Sequence, residues 1–244
     1  MSWVPSTAVA GHGGGRIAVL AELLPASVAA VELLGGDEGA EDGSLYWPLY
    51  PEEAAVVARA VGKRRREFAA VRSCARRAMV RLGVPAQPVL PGERGAPRWP
   101  AGLIGSMTHC DGYRAAALAR AADLASLGID AEPHAPLPAG VRDSVALPSE
   151  RARLARSAAA RPGVHWDRLL FSAKESVYKA WFPLARTWLG FEEADIHLGP
   201  HGAFRVELLV PGPLVGGRRL RWLDGRWAVR DGLILTAVTV PHPR

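Results

Sequence analysis

The stretch "SLGIDAEPHAPLP", residues 126–138, places two carboxylates, Asp130 and Glu132, at alternate positions and then ends its run at Pro133. The residues ahead of them, Leu127 to Ile129, read as a short apolar strand. Successive strand side chains point to opposite faces, so Asp130 and Glu132 project together while Ala131 faces the other way. Two like charges at that spacing repel and raise each other's pKa unless positive charge lies near them. A hard divalent cation, an arginine partner or full exposure to water would each resolve the repulsion. The strand also opens the second half of the chain.

A chain of 244 residues holds one large domain or two modest ones, each able to bury a core. The balance is basic, 30 Lys+Arg against 24 Asp+Glu, which suits a polyanionic or phosphorylated partner. Cys74 and Cys110 lie far apart and form no CxxC pair, which fits a reducing cytoplasm with neither a disulfide framework nor a zinc site. The most apolar early stretch, "RIAVLAELLPASVAAVELL", is interrupted by Glu22, Pro25 and Glu32 and is unfit to span a bilayer. It reads as a strand over Ile17 to Leu23 with a turn at Pro25.

Composition divides the chain into a flexible tail (residues 1–15), an N-terminal subdomain (16–125) and a C-terminal subdomain (126–244). A helical region runs from Pro51 to Gly83, with Phe68, Val71, Ala75, Met79 and Leu82 on one stripe and Arg72 and Arg76 on its flank. "QPVLPGERGAPRWPAG" is a Pro/Gly-punctuated loop, and "LIGSMTHCDGYRAAALAR" reads as strand, polar bend, strand. Residues 149–160 form a helix. In "VHWDRLLFSAKESVYKAWFPL", Leu170, Ala173, Val177, Ala180, Trp181 and Leu184 share a face, with Pro183 limiting the end. The C-terminus is a meander with hairpin turns expected at Asp224-Gly225 and Asp231-Gly232. Each half thus has strands around helices, an α+β pattern.

Glu175 and Lys179 lie one helical turn apart, nearly opposite the apolar stripe, with Lys174 toward its flank. That spacing serves an ordinary surface ion pair. It equally lets Glu175 supply a third carboxylate to Asp130 and Glu132, a set suited to magnesium beside substrate phosphates. His109, in the bend, and its neighbour Thr108 carry groups able to donate to a phosphate. The run "KRRR" at 63–66 is either a solvated basic face or a phosphate clamp of arginine forks. The other histidines show no metal-ligand spacing; His134 and His165 offer a hydrogen bond at most.

Three blocks in order, "GSMTHCDGYRAAALA", "SLGIDAEPHAPLP" and "FSAKESVYKAWFPL", resemble the signatures of the Sfp-type 4'-phosphopantetheinyl transferases. The likeness is to the EntD-like branch that includes the mycobacterial enzymes, and "KRRREFAAVRSCARRAM", "APRWPAGLIGS" and "WLGFEEADI" extend it from about residue 17 to the end. The resemblance implies two similar α+β subdomains about a pseudo-twofold axis, each a small antiparallel sheet packed with helices, with coenzyme A between them. It implies Asp130, Glu132 and Glu175 as Mg2+ ligands (Mn2+ the alternative), with Glu175 also the general base. Lys179 would face the pyrophosphate, with Lys174 the basic neighbour of the same block. His109 and Thr108 would serve the coenzyme A phosphates, and Arg64 and Arg72 the 3'-phosphate.

The chain departs from the pattern at Pro91, where relatives often carry a phosphate-binding lysine, so that part of the clamp is either missing or supplied by Arg94. An unbroken helix from Lys63 would also point Arg64 away from Arg72, which predicts a break near Gly62 to Arg66. The implied activity is transfer of 4'-phosphopantetheine from coenzyme A to a serine of an apo carrier protein, releasing adenosine 3',5'-bisphosphate. A single chain carrying both halves implies a monomer; the expected location is cytoplasmic, with no membrane or nucleic-acid partner. The alternatives are a basic nucleic-acid-binding module, for which no recognition motif or interleaved aromatic run exists, and an inactive coenzyme A-binding relative.

Overall fold

In chain order the first half contains β1 (Ala29–Leu34), α1 (Pro51–Val56), α2 (Gly62–Arg81), β2 (Leu90–Pro91), β3 (Pro97–Arg98), β4 (Leu103–Cys110) and β5 (Tyr113–Arg120). The second half contains β6 (Leu124–Pro133), α3 (Val141–Val145), α4 (Pro148–Ala160), α5 (Trp166–Ala185), β7 (Ala194–Leu198) and β8 (Ala203–Leu208). It closes with β9 (Leu214–Val215), β10 (Arg218–Arg219), β11 (Trp222–Arg230) and β12 (Leu233–Pro241). These come from a computed structural model, which describes residues 19–35 and 47–243; the tail expected over residues 1–15 lies outside them.

The strands form an antiparallel sheet in the order β1-β5-β4 and a larger one in the order β6-β12-β11-β8-β7. Alternation along β5 and β6 explains how these two sheets stack. Tyr113, Ala115, Ala117 and Ala119 of β5 meet Leu127, Ile129 and Ala131 of β6 and Leu233, Leu235 and Ala237 of β12. On its other face β5 turns Ala116 and Leu118 to Cys74, Ala75, Ala78 and Met79 of α2. The far face of the larger sheet carries α5, through Leu170, Ala173, Val177 and Ala180. The molecule is therefore α+β in two subdomains, alike in plan and unequal in size, each with a 20-residue helix on an antiparallel sheet.

β6 is the edge of its sheet, and its outward N–H groups are not left bare. Ser106 Oγ accepts from Ile129 N at 3.0 Å and Thr108 Oγ1 from Ala131 N at 3.1 Å, so β4 covers this edge with hydroxyls. On the α5 side, Gly128 lets the helix lie against the strand backbone, since a Cβ there would come within 2.0 Å of Ser176 O.

Several expectations are corrected. Leu20–Leu23 is a 3-10 turn rather than a strand, its buried leucines three residues apart at that helix's repeat. Asp224-Gly225 lies within β11, not in a hairpin turn. Gly225 makes room for the Phe204 ring, which a Cβ would approach to 2.1 Å, and Asp224 pairs with Arg205. Asp231-Gly232 does form the two-residue turn, with φ values of 53° and 77°. The helical region divides between Val56 and Gly62, and α2 then runs unbroken. No break follows Gly62 because residues 61–66 overhang the sheet and are exposed, so nothing apolar is required at Arg64. His109 belongs to strand β4 rather than to a bend, and α5 continues past Pro183 to Ala185.

Candidate active site

The alternation along β6 sends Asp130 and Glu132 toward α5. The helix answers with Arg168, Ser172, Glu175 and Lys179, spaced i, i+4, i+7 and i+11 on one face. Asp130 is 5% exposed and is the hub of the contacts. Its Oδ1 accepts from Lys179 Nζ at 2.7 Å and Thr108 Oγ1 at 3.2 Å, and its Oδ2 from Ser172 Oγ at 2.8 Å. Glu132 Oε2 accepts from Arg168 Nη1 at 2.7 Å. Positive partners therefore stand beside both acids of the D-x-E step, and full exposure is ruled out.

Burial, chiefly, pushes the Glu132 carboxyl above its ordinary value; Asp130 adds to this, while Arg168 and Lys179 oppose it. Burial also raises Glu175, with Asp130 adding to it, Lys179 opposing and Glu132 adding again. Among the described residues no three His, Cys, Asp or Glu groups form a finished metal site. Hard oxygen donors within electrostatic reach of one another are nonetheless the chemistry a hard dication requires, and they suit it more than they suit each other.

The cationic side is built from α2 and β4. Arg64 Nη1 lies 3.3 Å from His109 Nε2, and Glu67 Oε2 is 3.5 Å from the same nitrogen. Arg72 is anchored by Nε donation to Val89 O at 2.9 Å, with its guanidinium over the Phe68 ring. Burial pushes the Arg72 guanidinium down to about 10; Glu53 opposes that shift, and repulsion from Arg64 and then Arg76 adds to it. Burial likewise lowers His109; Glu67 opposes, and Arg64, Lys179 and Arg114 push it further down. Lys179 thus acts on both regions, on Asp130 by contact and on His109 through its field.

Two expected phosphate ligands face elsewhere. Lys174 is 3% exposed, and its Nζ reaches Glu150 Oε2 at 2.9 Å and Ala194 O at 2.9 Å, on the side of α5 away from Asp130. Next to Glu175 in sequence, it is turned about 100° around the helix axis, enough to separate a buried ion pair from the site. The Thr108 hydroxyl is used by Asp130 and the Ala131 N–H, so it supports the acids. Arg94 is exposed on the β2–β3 loop and acts electrostatically on Tyr178 of α5.

The residues not anticipated are Arg168, Ser172 and Glu67. The first two were readable from their heptad-like spacing with Glu175 and Lys179. A shallow apolar cleft adjoins Glu175, lined by Val177, Tyr178, Trp188, Leu189 and Phe191.

A carboxylate cluster on β6 and α5 beside cationic side chains of α2 and β4 is equipment suited to an enzyme acting on a phosphorylated substrate. Two family models match the chain: the 4'-phosphopantetheinyl transferase N-terminal domain over residues 52–119, and the 4'-phosphopantetheinyl transferase superfamily over residues 126–229. The 4'-phosphopantetheinyl transferase Svp of Streptomyces mobaraensis is 60% identical over 92% of this chain and 90% of its own. PptT of Mycobacterium tuberculosis is 49% identical over 91% of this chain and 98% of its own. The more distant enterobactin synthase component D of Salmonella typhimurium is 31% identical over 75% of this chain and 76% of its own.

The chain belongs to the 4'-phosphopantetheinyl transferase superfamily. It is a transferase that delivers the 4'-phosphopantetheine group to carrier proteins. Among the described residues no helix is long and apolar enough to cross a membrane.

Proposed function

We propose that the group comes from coenzyme A and goes to a serine of an apo carrier protein, with adenosine 3',5'-bisphosphate as the leaving product. The observation that carries this reading is the convergence on Asp130. One buried carboxylate joins β4, β6 and α5, and its partner Lys179 also reaches the field of the His109 clamp. The N-terminal subdomain, residues 16–125, then holds the nucleotide through Arg64, Arg72 and His109, with Arg94 in place of the lysine missing at Pro91. The C-terminal subdomain, residues 126–244, carries the reacting groups.

Asp130, Glu132 and Glu175 would hold a divalent ion, Mg2+ or alternatively Mn2+. Such an ion neutralises charge on pyrophosphate oxygens when bound. Glu175, its proton affinity raised, accepts the serine proton as the serine oxygen forms its bond to phosphorus. The bond from that phosphorus to the oxygen of the leaving bisphosphate breaks, and Lys179 steadies the charge that develops there. The cleft lined by Tyr178, Trp188 and Phe191 suits the uncharged arm beside Glu175. The basic balance steers an acidic carrier, so the reaction slows with added salt.

The protein acts as a cytoplasmic monomer on carriers of siderophore, polyketide or nonribosomal peptide synthesis. Incubation with coenzyme A, Mg2+ and a panel of apo carriers should add the phosphopantetheine mass to at least one. No mass gain on any carrier, with coenzyme A still bound, would favour an inactive binder. Tight, salt-dependent DNA binding instead would favour the nucleic-acid module.

A further inference from the structure

Within the cationic clamp stands one carboxylate that transfer chemistry does not call for. Glu67 Oε2 lies 3.5 Å from His109 Nε2 and 3.8 Å from Arg64 Nη1, and those two nitrogens are 3.3 Å apart. A single oxygen thus converges on the same pair of donors that the preceding reading assigns to a nucleotide phosphate. The donors are the more open, at 55% for Arg64 and 39% for His109 against 18% for Glu67. Arg64 and Glu67 share the first turns of α2, three residues apart, while His109 comes from β4, so the carboxylate links two elements.

We propose that Glu67 holds the place of the phosphate: the 3'-phosphate of the nucleotide binds by displacing this carboxylate from Arg64 and His109, and Glu67 thereby sets affinity and release. The inference rests on the clamp reading and goes beyond it.

Arg64 repels Arg72, Arg64 and Lys179 both act on His109, and an anion offsets that repulsion. Glu67 supplies one from the chain itself and keeps the donors converged. An arriving phosphate then exchanges one anion for another. That lowers the net gain on binding, and it lowers equally the cost of leaving. The product carries the same 3'-phosphate as the donor, so a clamp without an internal competitor would retain product, and release commonly limits turnover. The opposite role is also open to a carboxylate beside histidine: favouring the protonated ring so that it donates to phosphate. The two roles predict opposite signs.

The test is Glu67→Gln, which keeps shape and removes charge, with Glu67→Ala as a second variant and thermal melts confirming that both fold. Dissociation constants are measured for coenzyme A, 3'-dephospho-coenzyme A and adenosine 3',5'-bisphosphate. In both variants coenzyme A and the bisphosphate should bind ~3–10-fold tighter. The dephospho form should be unchanged, and the gain should shrink as salt rises. Weaker or unchanged coenzyme A binding in both variants overturns the proposal. Arg64→Ala and His109→Ala, run alongside, test the clamp itself. If both keep the wild-type preference for coenzyme A over its dephospho form, the clamp reading fails. If they lose it while the Glu67 variants bind as wild type, the clamp stands and only the role of Glu67 is wrong.

Discussion

The α5 and α2 sides of the candidate site are electrostatic opposites built by different means. The α5 side gathers acids, with a cation against Asp130 and another against Glu132. The α2 side gathers cations, with Glu53 buried against Arg76 and Glu67 among the more open ones. Asp130 and Glu132 come from a strand that a helix, carrying Glu175, covers at backbone contact, and Asp130 is 5% exposed. The clamp sets one buried anchor, Arg72 at 7% exposure, behind longer and more open groups, Arg64 being 55% exposed and His109 39%. Reacting groups need fixed geometry, whereas a nucleotide clamp has to accept and release. The rigid region is therefore expected to govern rate and the pliable one affinity.

Replacing Glu175 with Gln should break the comparison on the acid side alone. Transfer should fall by ~10²–10⁴-fold, read as mass gain on an apo carrier, while coenzyme A binding survives. Lys174→Met tests the neighbouring cation, which faces the other way. Loss of its charge leaves Glu150, 1% exposed, without its partner and should cost about 3–5 kcal/mol in denaturant unfolding. Coenzyme A affinity of the folded fraction should be retained, in contrast to loss of Arg64 or His109. Gly128→Ala should push α5 off β6, costing about 1–3 kcal/mol and slowing transfer more than it weakens coenzyme A binding.

The smallest effect is one of pH. Glu132 and Glu175 hold protons more tightly folded than unfolded. Their contribution to stability is therefore full below the ordinary glutamate pKa and is lost as pH rises through the raised folded values. A dication offsets that loss, so Mg2+ should raise the melting temperature more at about pH 8 than at about pH 5. The acid limb of the rate profile should likewise lie above the usual glutamate range and vanish in Glu175→Gln.

The acid side was largely legible in the sequence because it obeys two local periods. Alternation aligned Asp130 with Glu132, and helical spacing aligned Glu175 with Lys179. Where the periods ran together, reading failed. Lys174 and Glu175 are neighbours in the chain and point to different sides of α5, which only the packing of α4 and β7 around Glu150 decides. Thr108 was found as a hydroxyl near the site, but its turn toward Asp130 depends on β4 meeting β6, a long-range event. Asp224-Gly225 carries the composition of a turn and lies in a strand because Phe204, 21 positions earlier, fills the space above the glycine. Glu67 was hidden in a basic run, where one acid reads as punctuation.

The hydroxyl seam between β4 and β6 has a consequence for how the enzyme could be tuned. Main-chain ladders are indifferent to side-chain identity, but Ser106 and Thr108 join the halves through groups that one substitution each can delete. Under the proposed function, the phosphate-binding side and the proton acceptor are thus aligned by an adjustable joint. Swapping the threonine for serine or valine would reset the angle between them and leave either half's own core intact.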